Sequence, residues 1–149
     1  MRTAICASSL LCVWTLAARP ALPATEEHTR DLRSSVPSVR EHAAVSLGRA
    51  GDRSAVPALV EALKDPEKDV RRAAAKALGF IKDARAVPSL LAALGDPDKN
   101  VRLYAAYGLG EIKDPKATGV LLRALGDPEW CVRDQAAWSL GEIGYPDIA

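Results

Sequence analysis

The sequence predicts an all-α protein, an α-solenoid of about four stacked helix pairs, and three observations support this prediction. A pattern that begins with Val-Arg recurs with a constant step of 31 residues, at Val39, Val70, Val101 and Val132. Apolar residues recur at helical spacing within each copy. Asp-Pro dipeptides and glycines recur between these stretches, where they mark helix boundaries. A period of roughly 20–50 residues is typical of a repeat array, and short connections make antiparallel helix pairs that stack.

The composition restricts the kind of partner. The chain has 149 residues and a formal net charge of +1, with both signs interspersed. That length suits one domain of ordinary size. A near-neutral chain without a basic block offers no electrostatic attraction for nucleic acid or an anionic membrane, so we predict no nucleic-acid partner.

The first 24 residues are predicted to be a secretory signal peptide. Arg2 precedes an uncharged run of apolar and small residues, and small residues follow it, an order typical of a cleaved signal. Cleavage is open between Ala17, Ala18 and Ala24, and Ala24 is favoured because polar sequence begins directly after it. An uncleaved anchor and a misassigned start codon are the alternatives. The mature chain, 25–149, is then predicted to be secreted or periplasmic, with no membrane span after signal cleavage.

The first helix of each pair is bounded by aspartates. The predicted N-caps are Asp52, Asp83 and Asp114. Prolines a few residues further in, which lack a backbone donor, are predicted to start or kink the helix at Pro57 and Pro88. The residue before a proline is disfavoured in helical geometry. Each first helix is therefore predicted to end at an Asp-Pro dipeptide, which begins at Asp65, Asp96 or Asp127.

The second helix carries the buried columns of the repeat. Its predicted N-caps directly precede the valines, at Ser38, Asp69 and Asn100. The valine, two alanines four and five residues on, and a leucine eight residues on form the inward face, which in the second unit is Val70, Ala74, Ala75 and Leu78. Paired alanines allow neighbouring helices to approach closely. A glycine is predicted to end each helix, either as a left-handed cap or at a close contact, at Gly48, Gly79, Gly110 and Gly141.

The repeated pattern V-R-x-x-A-A-x-A-L-G, a short turn, A-V-P-x-L-x-x-A-L and D-P resembles the HEAT-like repeats of the phycobilisome-lyase type. The resemblance covers residues 36–144 and implies a right-handed α-solenoid, an α-α superhelix of about four HEAT-like helix pairs. In HEAT repeats, a loop aspartate and an arginine six residues later form a ladder between units. The matching residues are Asp65 and Arg71, Asp96 and Arg102, and Asp127 and Arg133. Ser34 takes the aspartate position before Arg40, so the resemblance does not extend the ladder to the first unit.

The two ends of the repeat domain, 25–149, differ. One period before the second unit, the segment at about 25–33 keeps a single leucine of the pattern, Leu32, and is otherwise polar. A polar outer helix is the cap that a solenoid end needs. Residues 145–149 lie where the first helix of a fifth unit would begin. Two explanations stay open: the chain is a fragment of a longer array, or a partner covers the last unit.

The sequence contains no catalytic or metal-binding constellation that we recognise. It has no glycine-rich phosphate loop, no H-E-x-x-H and no paired cysteines in the mature chain. His28 and His42, the only histidines, are predicted to be solvated. Cys6 and Cys12 leave with the signal peptide, and Cys131 is predicted to be a small packed residue. We therefore predict no catalytic residue, no metal ligand and no cofactor.

Two enzyme families resemble this repeat. Deoxyhypusine hydroxylase holds iron with His-Glu dipeptides at helix starts, and this sequence contains no His-Glu. Phycobilin lyases share the repeat more closely, but they work as longer chains on a cytosolic substrate. The sequence therefore favours a non-catalytic protein-protein interaction scaffold. The alternative is an accessory domain or degenerate relative of such a repeat-built enzyme.

The resemblance implies that the second helices line a concave surface. Their variable columns lie two, three and six residues after each valine, and these columns hold three of the six aromatic residues of the mature chain. Because valine, alanine and leucine already fill the core columns, the aromatics indicate a patch that recognises another protein; coverage by further repeats is the alternative. The predicted patch consists of Arg72, Lys76, Leu103, Tyr104, Tyr107, Asp134 and Trp138.

Overall fold

A computed structural model describes residues 23–144, which contain eight α-helices and no strand. The helices are α1 (Ala24–Asp31), α2 (Pro37–Ala50), α3 (Val56–Ala62), α4 (Lys68–Ile81), α5 (Val87–Ala93), α6 (Lys99–Ile112), α7 (Thr118–Ala124) and α8 (Trp130–Ile143). Within this range, no helix has the length and apolar character needed to cross a membrane. The segment before residue 23, with Cys6 and Cys12, and residues 145–149 lie outside the described residues, so the signal peptide stays a prediction.

The eight helices form four antiparallel pairs, which confirms the predicted all-α solenoid. The second helices α2, α4, α6 and α8 have 14 residues each and pack on one another in chain order. The first helices α3, α5 and α7 have seven residues each, and each packs on the second helix of its own pair. The second helices thus form one layer of the stack, and the first helices form the other.

The inward columns of the repeat form one continuous core. In α4, Val70, Ala74, Ala75 and Leu78 are each at most 1% exposed. The alanine and leucine columns are equally buried in α2 and α6, where a neighbouring unit covers them. Val39 is 37% exposed in the first unit. Inner units are therefore sealed on both sides by their neighbours.

The three predicted aspartates cap a 3₁₀ turn, and each first α-helix begins four residues after its aspartate. Asp52, Asp83 and Asp114 each accept a hydrogen bond from the backbone N–H two residues later. A single 3₁₀ turn follows each aspartate, and the α-helix then begins with Pro57 or Pro88 in its first turn in two of the three copies. Both prolines lie where a helix needs no backbone donor.

The second helices begin earlier than predicted, and the N-caps assigned to Ser38, Asp69 and Asn100 are wrong. The structural N-cap positions are Val36, Glu67, Asp98 and Glu129. The cause is the aspartate of the Asp-Pro dipeptide. Asp65, for example, accepts a hydrogen bond from the Glu67 N–H at 2.9 Å, which folds a turn directly before the helix.

The repeated glycine does not end its helix, because each second helix continues for two more residues. The left-handed positions come later, at Gly51, Lys82, Lys113 and Gly144. The close-contact explanation holds for Gly48, Gly79 and Gly110, whereas Gly141 has no neighbour within 4 Å among the described residues. A Cβ atom on Gly48 would lie 2.7 Å from the Ala77 Cα, and one on Gly110 would lie 2.9 Å from the Ser139 Cα. These glycines therefore set the spacing between consecutive second helices.

An ion-pair ladder joins consecutive units, but its pairing differs from the one that the resemblance implied. Arg71 donates Nε and Nη2 to both carboxylate oxygens of Asp96, at 2.8 and 3.0 Å, and donates Nη1 to the Asp65 carbonyl at 2.9 Å. The rungs are Arg40–Asp65, Arg71–Asp96 and Arg102–Asp127. Ser34 does not break the ladder, because its backbone carbonyl accepts the Arg40 Nη1 at 2.8 Å. Each arginine thus binds its own loop and the next unit together.

Asp83 is expected to make the fold more resistant to acid. The Arg85 guanidinium donates to this carboxylate at 2.8 and 3.0 Å, the Arg85 N–H donates at 2.9 Å, and together they lower the pKa of Asp83 from 3.8 to about 2. Because the folded-state pKa lies below the unfolded value, Asp83 stabilises the fold above about pH 4. That contribution is lost as the pH falls toward about 2.

We therefore expect Asp83→Asn to flatten the fall in thermal unfolding midpoint between about pH 4 and pH 2. Asp114→Asn is the matched control, because Asp114 caps the corresponding 3₁₀ turn of the next unit in the same way, through the Lys116 N–H at 2.9 Å, and has no arginine partner among the described residues. An Asp83→Asn profile parallel to that of the parent would contradict this assignment.

Candidate functional site

A row of aromatic rings crosses three of the second helices, α4, α6 and α8. Tyr107 on α6 stacks on Trp138 on α8, with ring centroids 6.1 Å apart and planes 17° apart. On its other side, Tyr107 meets the edge of Phe80 on α4 at 6.2 Å and 85°. Offset stacks and edge-to-face pairs at these separations are the favourable arrangements for aromatic rings. The row is therefore held in a defined geometry and does not consist of independent side chains.

Trp138 and Phe80 keep large exposed surfaces at the two ends of this row. Trp138 is 43% exposed and Phe80 is 44% exposed, while Tyr107 between them is half-buried. Desolvation by burial raises the pKa of Tyr107. Its phenol is therefore neutral at ordinary pH, and it serves the surface as an apolar ring with one hydroxyl.

Lys76 places a positive charge beside the row. Its Nζ lies 5.7 Å from the Phe80 ring centroid and 5.4 Å from that of Tyr104. Both distances are within the range at which a cation is attracted to an aromatic face. Lys76 therefore joins Tyr104 to the row and leaves its ammonium accessible at the edge.

Arg72 forms the rim toward the first unit. It donates to Glu41 on α2 at 2.8 Å and approaches Asp69 at 3.0 Å. With Tyr104 and Asn100 it lines a shallow depression of about 320 Å³ between α2, α4 and α6. This end of the surface is polar and paired, whereas the end at α8 is aromatic.

The structure brings together five of the seven predicted patch residues: Arg72, Lys76, Tyr104, Tyr107 and Trp138. The other two lie in neighbouring columns. Leu103 on α6 is half-buried, and Asp134 near the start of α8 is exposed. Within residues 23–144, no ion pair links Asp134 to the aromatic row.

Phe80 was missed by the sequence analysis. It lies ten residues after Val70, outside the variable columns that defined the patch. It also lies four residues after Lys76, and side chains four apart in a helix share a face. Extending the variable column by one helical turn would have included Phe80.

The described residues bear on the predictions for metal ligands, cysteine and histidine. In residues 23–144, no group of three or more histidine, cysteine or acidic side chains is placed to hold a metal ion. Cys131 is a free, half-buried thiol. His42 is exposed, as predicted, whereas His28 is half-buried and its Nδ1 has no hydrogen-bond partner within residues 23–144, so its predicted solvation is only partial.

The repeat architecture is shared with known proteins. The family model for HEAT repeats matches residues 29–98 and 87–149. The structure of the complex of CpcE and CpcF of phycocyanin lyase from Nostoc sp. PCC7120 contains a chain that is 33% identical, with a TM-score of 0.76, over 86% of this chain and 56% of that one. Human deoxyhypusine hydroxylase in complex with glycerol is 30% identical, with a TM-score of 0.72, over 85% of this chain and 46% of that one.

An engineered protein shares the fold at 24% identity and a TM-score of 0.71, over 82% of this chain and 63% of its own. This chain therefore matches between 46% and 63% of the length of these three structures. No curated protein matches its sequence.

Proposed function

Because the chain belongs to the HEAT repeat family, we propose that it is a non-catalytic scaffold whose concave surface binds another protein. The observation that carries this proposal is the aromatic row Phe80–Tyr107–Trp138, which runs across three units and keeps exposed ring surface at both ends. A core needs no such row, because the valine, alanine and leucine columns already fill the interior.

The surface has the composition of a protein interface. Its centre is aromatic, and Lys76 and Arg72 lie at its edge. An apolar centre with a polar rim is the usual anatomy of a protein-protein contact. Tyrosine and tryptophan are enriched among the residues that contribute most to binding. The stacked pair is also pre-ordered, which lowers the entropy cost of binding.

We expect Trp138→Ala to lower partner affinity by at least about 30-fold, or about 2 kcal/mol, because it removes the exposed end of the row. The binding partner is first captured with the parent chain, and each variant is then titrated against the purified partner. Trp130→Ala is the matched control, since Trp130 is 70% exposed and forms no part of the row. Tyr107→Ala tests the centre.

Helicity is compared before binding is measured, so that unfolding is not counted as lost affinity. Two folded row variants that bind the partner as tightly as the parent would exclude the row as the site. Equal losses of partner affinity in Trp130→Ala and Trp138→Ala would place the contact elsewhere on α8.

A second candidate is an accessory subunit of a repeat-built lyase, which the 33% identity to the phycocyanin lyase structure favours. The candidates differ in what the purified chain holds. A lyase-type subunit is expected to bind a phycobilin pigment, seen as a shifted visible absorption band on mixing. A scaffold is expected to retain its protein partner and leave the pigment spectrum unchanged.

A further inference from the structure

Two cations lie beside the Phe80 end of the aromatic row. Lys76 on α4 is exposed, and its Nζ lies 5.7 Å from the Phe80 ring centroid. Arg49 on α2 is exposed and occupies the position that Phe80 occupies on α4, ten residues after the repeat valine. Equivalent positions of consecutive second helices lie side by side, as the stack of Tyr107 on Trp138 shows. Both cations therefore border the same end of the row.

The carboxylates of the neighbouring columns are already paired. Arg72 binds Glu41 at 2.8 Å and Asp69 at 3.0 Å, and Lys82 binds Glu111. Within residues 23–144, neither of the two cations beside the row forms an ion pair. This end of the row therefore combines exposed ring surface with two positive charges that lack a carboxylate partner in the described chain.

We propose that the aromatic row binds an acidic segment of another protein, in which at least two carboxylates lie next to apolar or aromatic side chains. The carboxylates bind Lys76 and Arg49, and the apolar side chains cover Tyr107 and Trp138. Each contact between a cation and a carboxylate is a charge-assisted hydrogen bond, roughly twice as strong as a neutral one. The inference rests on the proposed function, because it names the kind of partner that the row binds.

The charges along the row also give the segment a direction. Asp134 on α8 is exposed and lies four residues before Trp138, on the same helix face. An acidic residue of the partner is repelled there and attracted at the Phe80 end. The acidic part of the segment therefore lies at α4, and its apolar part lies at α6 and α8.

The parts of this chain outside the described residues match the two cations poorly. Residues 1–22 contain no aspartate or glutamate, and residues 145–149 contain a single one, Asp147. They therefore supply at most one side-chain carboxylate for two positive charges.

A second copy of this chain is also a poor match. Its loop at 127–130 exposes 70% of Trp130, which could cover a ring of the row. However, Asp127 and Glu129 of this loop are each paired with a basic residue of the preceding unit. Charge complementarity therefore favours a segment of a different protein that brings two unpaired carboxylates.

A random peptide library tests the chemistry of the occupant. Displayed peptides are selected on the folded chain, and the strongest binders are synthesised and titrated against it. We expect these peptides to carry at least two acidic residues and at least one aromatic residue or leucine. Their affinity is expected to fall at least fivefold when salt is raised from about 50 mM to about 500 mM, because the charges lie at the surface.

Charge reversal locates the contact. The double variant Lys76→Glu, Arg49→Glu is expected to bind the acidic peptides at least tenfold more weakly than the parent. Peptides in which lysine replaces the acidic residues are expected to bind this variant at least tenfold more tightly than they bind the parent. Lys68→Glu is the matched control, with less than a twofold change, since Lys68 is exposed about 12 Å away at the start of the same helix.

The variants separate this inference from the proposed function. Peptides that lose affinity in Trp138→Ala but bind the charge-reversed variant as the parent would overturn the inference and leave the row as the site. Peptides that bind folded Trp138→Ala as tightly as the parent would overturn both. A library that yields no peptide with a Kd below about 100 μM would overturn the inference alone.

Two further results would assign the row to another occupant and overturn the proposal. One is a chain without residues 145–149 that binds the selected peptides at least tenfold more tightly, which would mean that this segment covers the row. The other is a parent chain that sediments as a dimer and becomes a monomer in Trp138→Ala, which would mean that a second copy covers it.

Discussion

Leu78→Ala is expected to lower the free energy of unfolding by about 2–5 kcal/mol, the cost of emptying a buried leucine site. Leu78 is 0% exposed and belongs to the continuous core. It lies on α4, which packs against both α2 and α6, so the cavity opens inside the stack and neither neighbour can close it alone. The measurement is urea unfolding followed by helical circular dichroism.

Leu122→Ala is the control for this substitution. Leu122 is 38% exposed, so it loses less buried area, and we expect a cost below about 1 kcal/mol. A loss below about 0.5 kcal/mol for Leu78→Ala would mean that the inward column is wrongly assigned.

The second large effect is expected from the ladder, where Asp96→Asn should cost about 3 kcal/mol. Asp96 accepts two hydrogen bonds from Arg71 at 2.8 and 3.0 Å, and it accepts the Asp98 N–H at 2.9 Å. The side chains of Arg71 and Asp96 are 14% and 10% exposed. Asparagine keeps the shape but turns one acceptor into a donor that faces the guanidinium.

An exposed pair provides the comparison for Asp96→Asn. Glu61 and Lys64 form an ion pair whose side chains are 72% and 70% exposed, and Glu61→Gln is expected to cost less than about 0.5 kcal/mol. Similar small costs for both substitutions would show that the ladder adds little to the cohesion of the stack.

The 31-residue period was enough to predict the fold, because it aligns equivalent positions in four copies. Val70, Ala74 and Leu78 are buried as their columns predicted. The exact positions at which helices begin within a unit were harder to predict. The N-cap prediction failed because it did not include the turn that Asp65 forms with the following proline. The Asp65 carboxylate accepts the Glu67 N–H, and α4 therefore begins directly after this turn.

Contacts between units were less accessible from sequence. The acidic partner of Arg71 lies 25 residues away, in the next unit, whereas the resemblance to HEAT repeats implied the aspartate six residues before it. Tyr107 and Trp138 share a column, so their proximity could be predicted. The edge contact between Tyr107 and Phe80 joins different columns and depends on the offset between α4 and α6, which no single-unit pattern contains.

The ladder and the glycine contacts make every junction between inner units interchangeable. Arg40, Arg71 and Arg102 each donate from Nε to the aspartate of the next loop, at nearly the same distances. A whole unit can therefore be removed or duplicated without the need for a new interface, because the flanking surfaces already match. Removal of residues 83–113 would bring Arg71 to Asp127, and Gly79 to Ser139. The length of the array is thus free to change in steps of one unit, while a gain or loss of any other length would misalign every later rung.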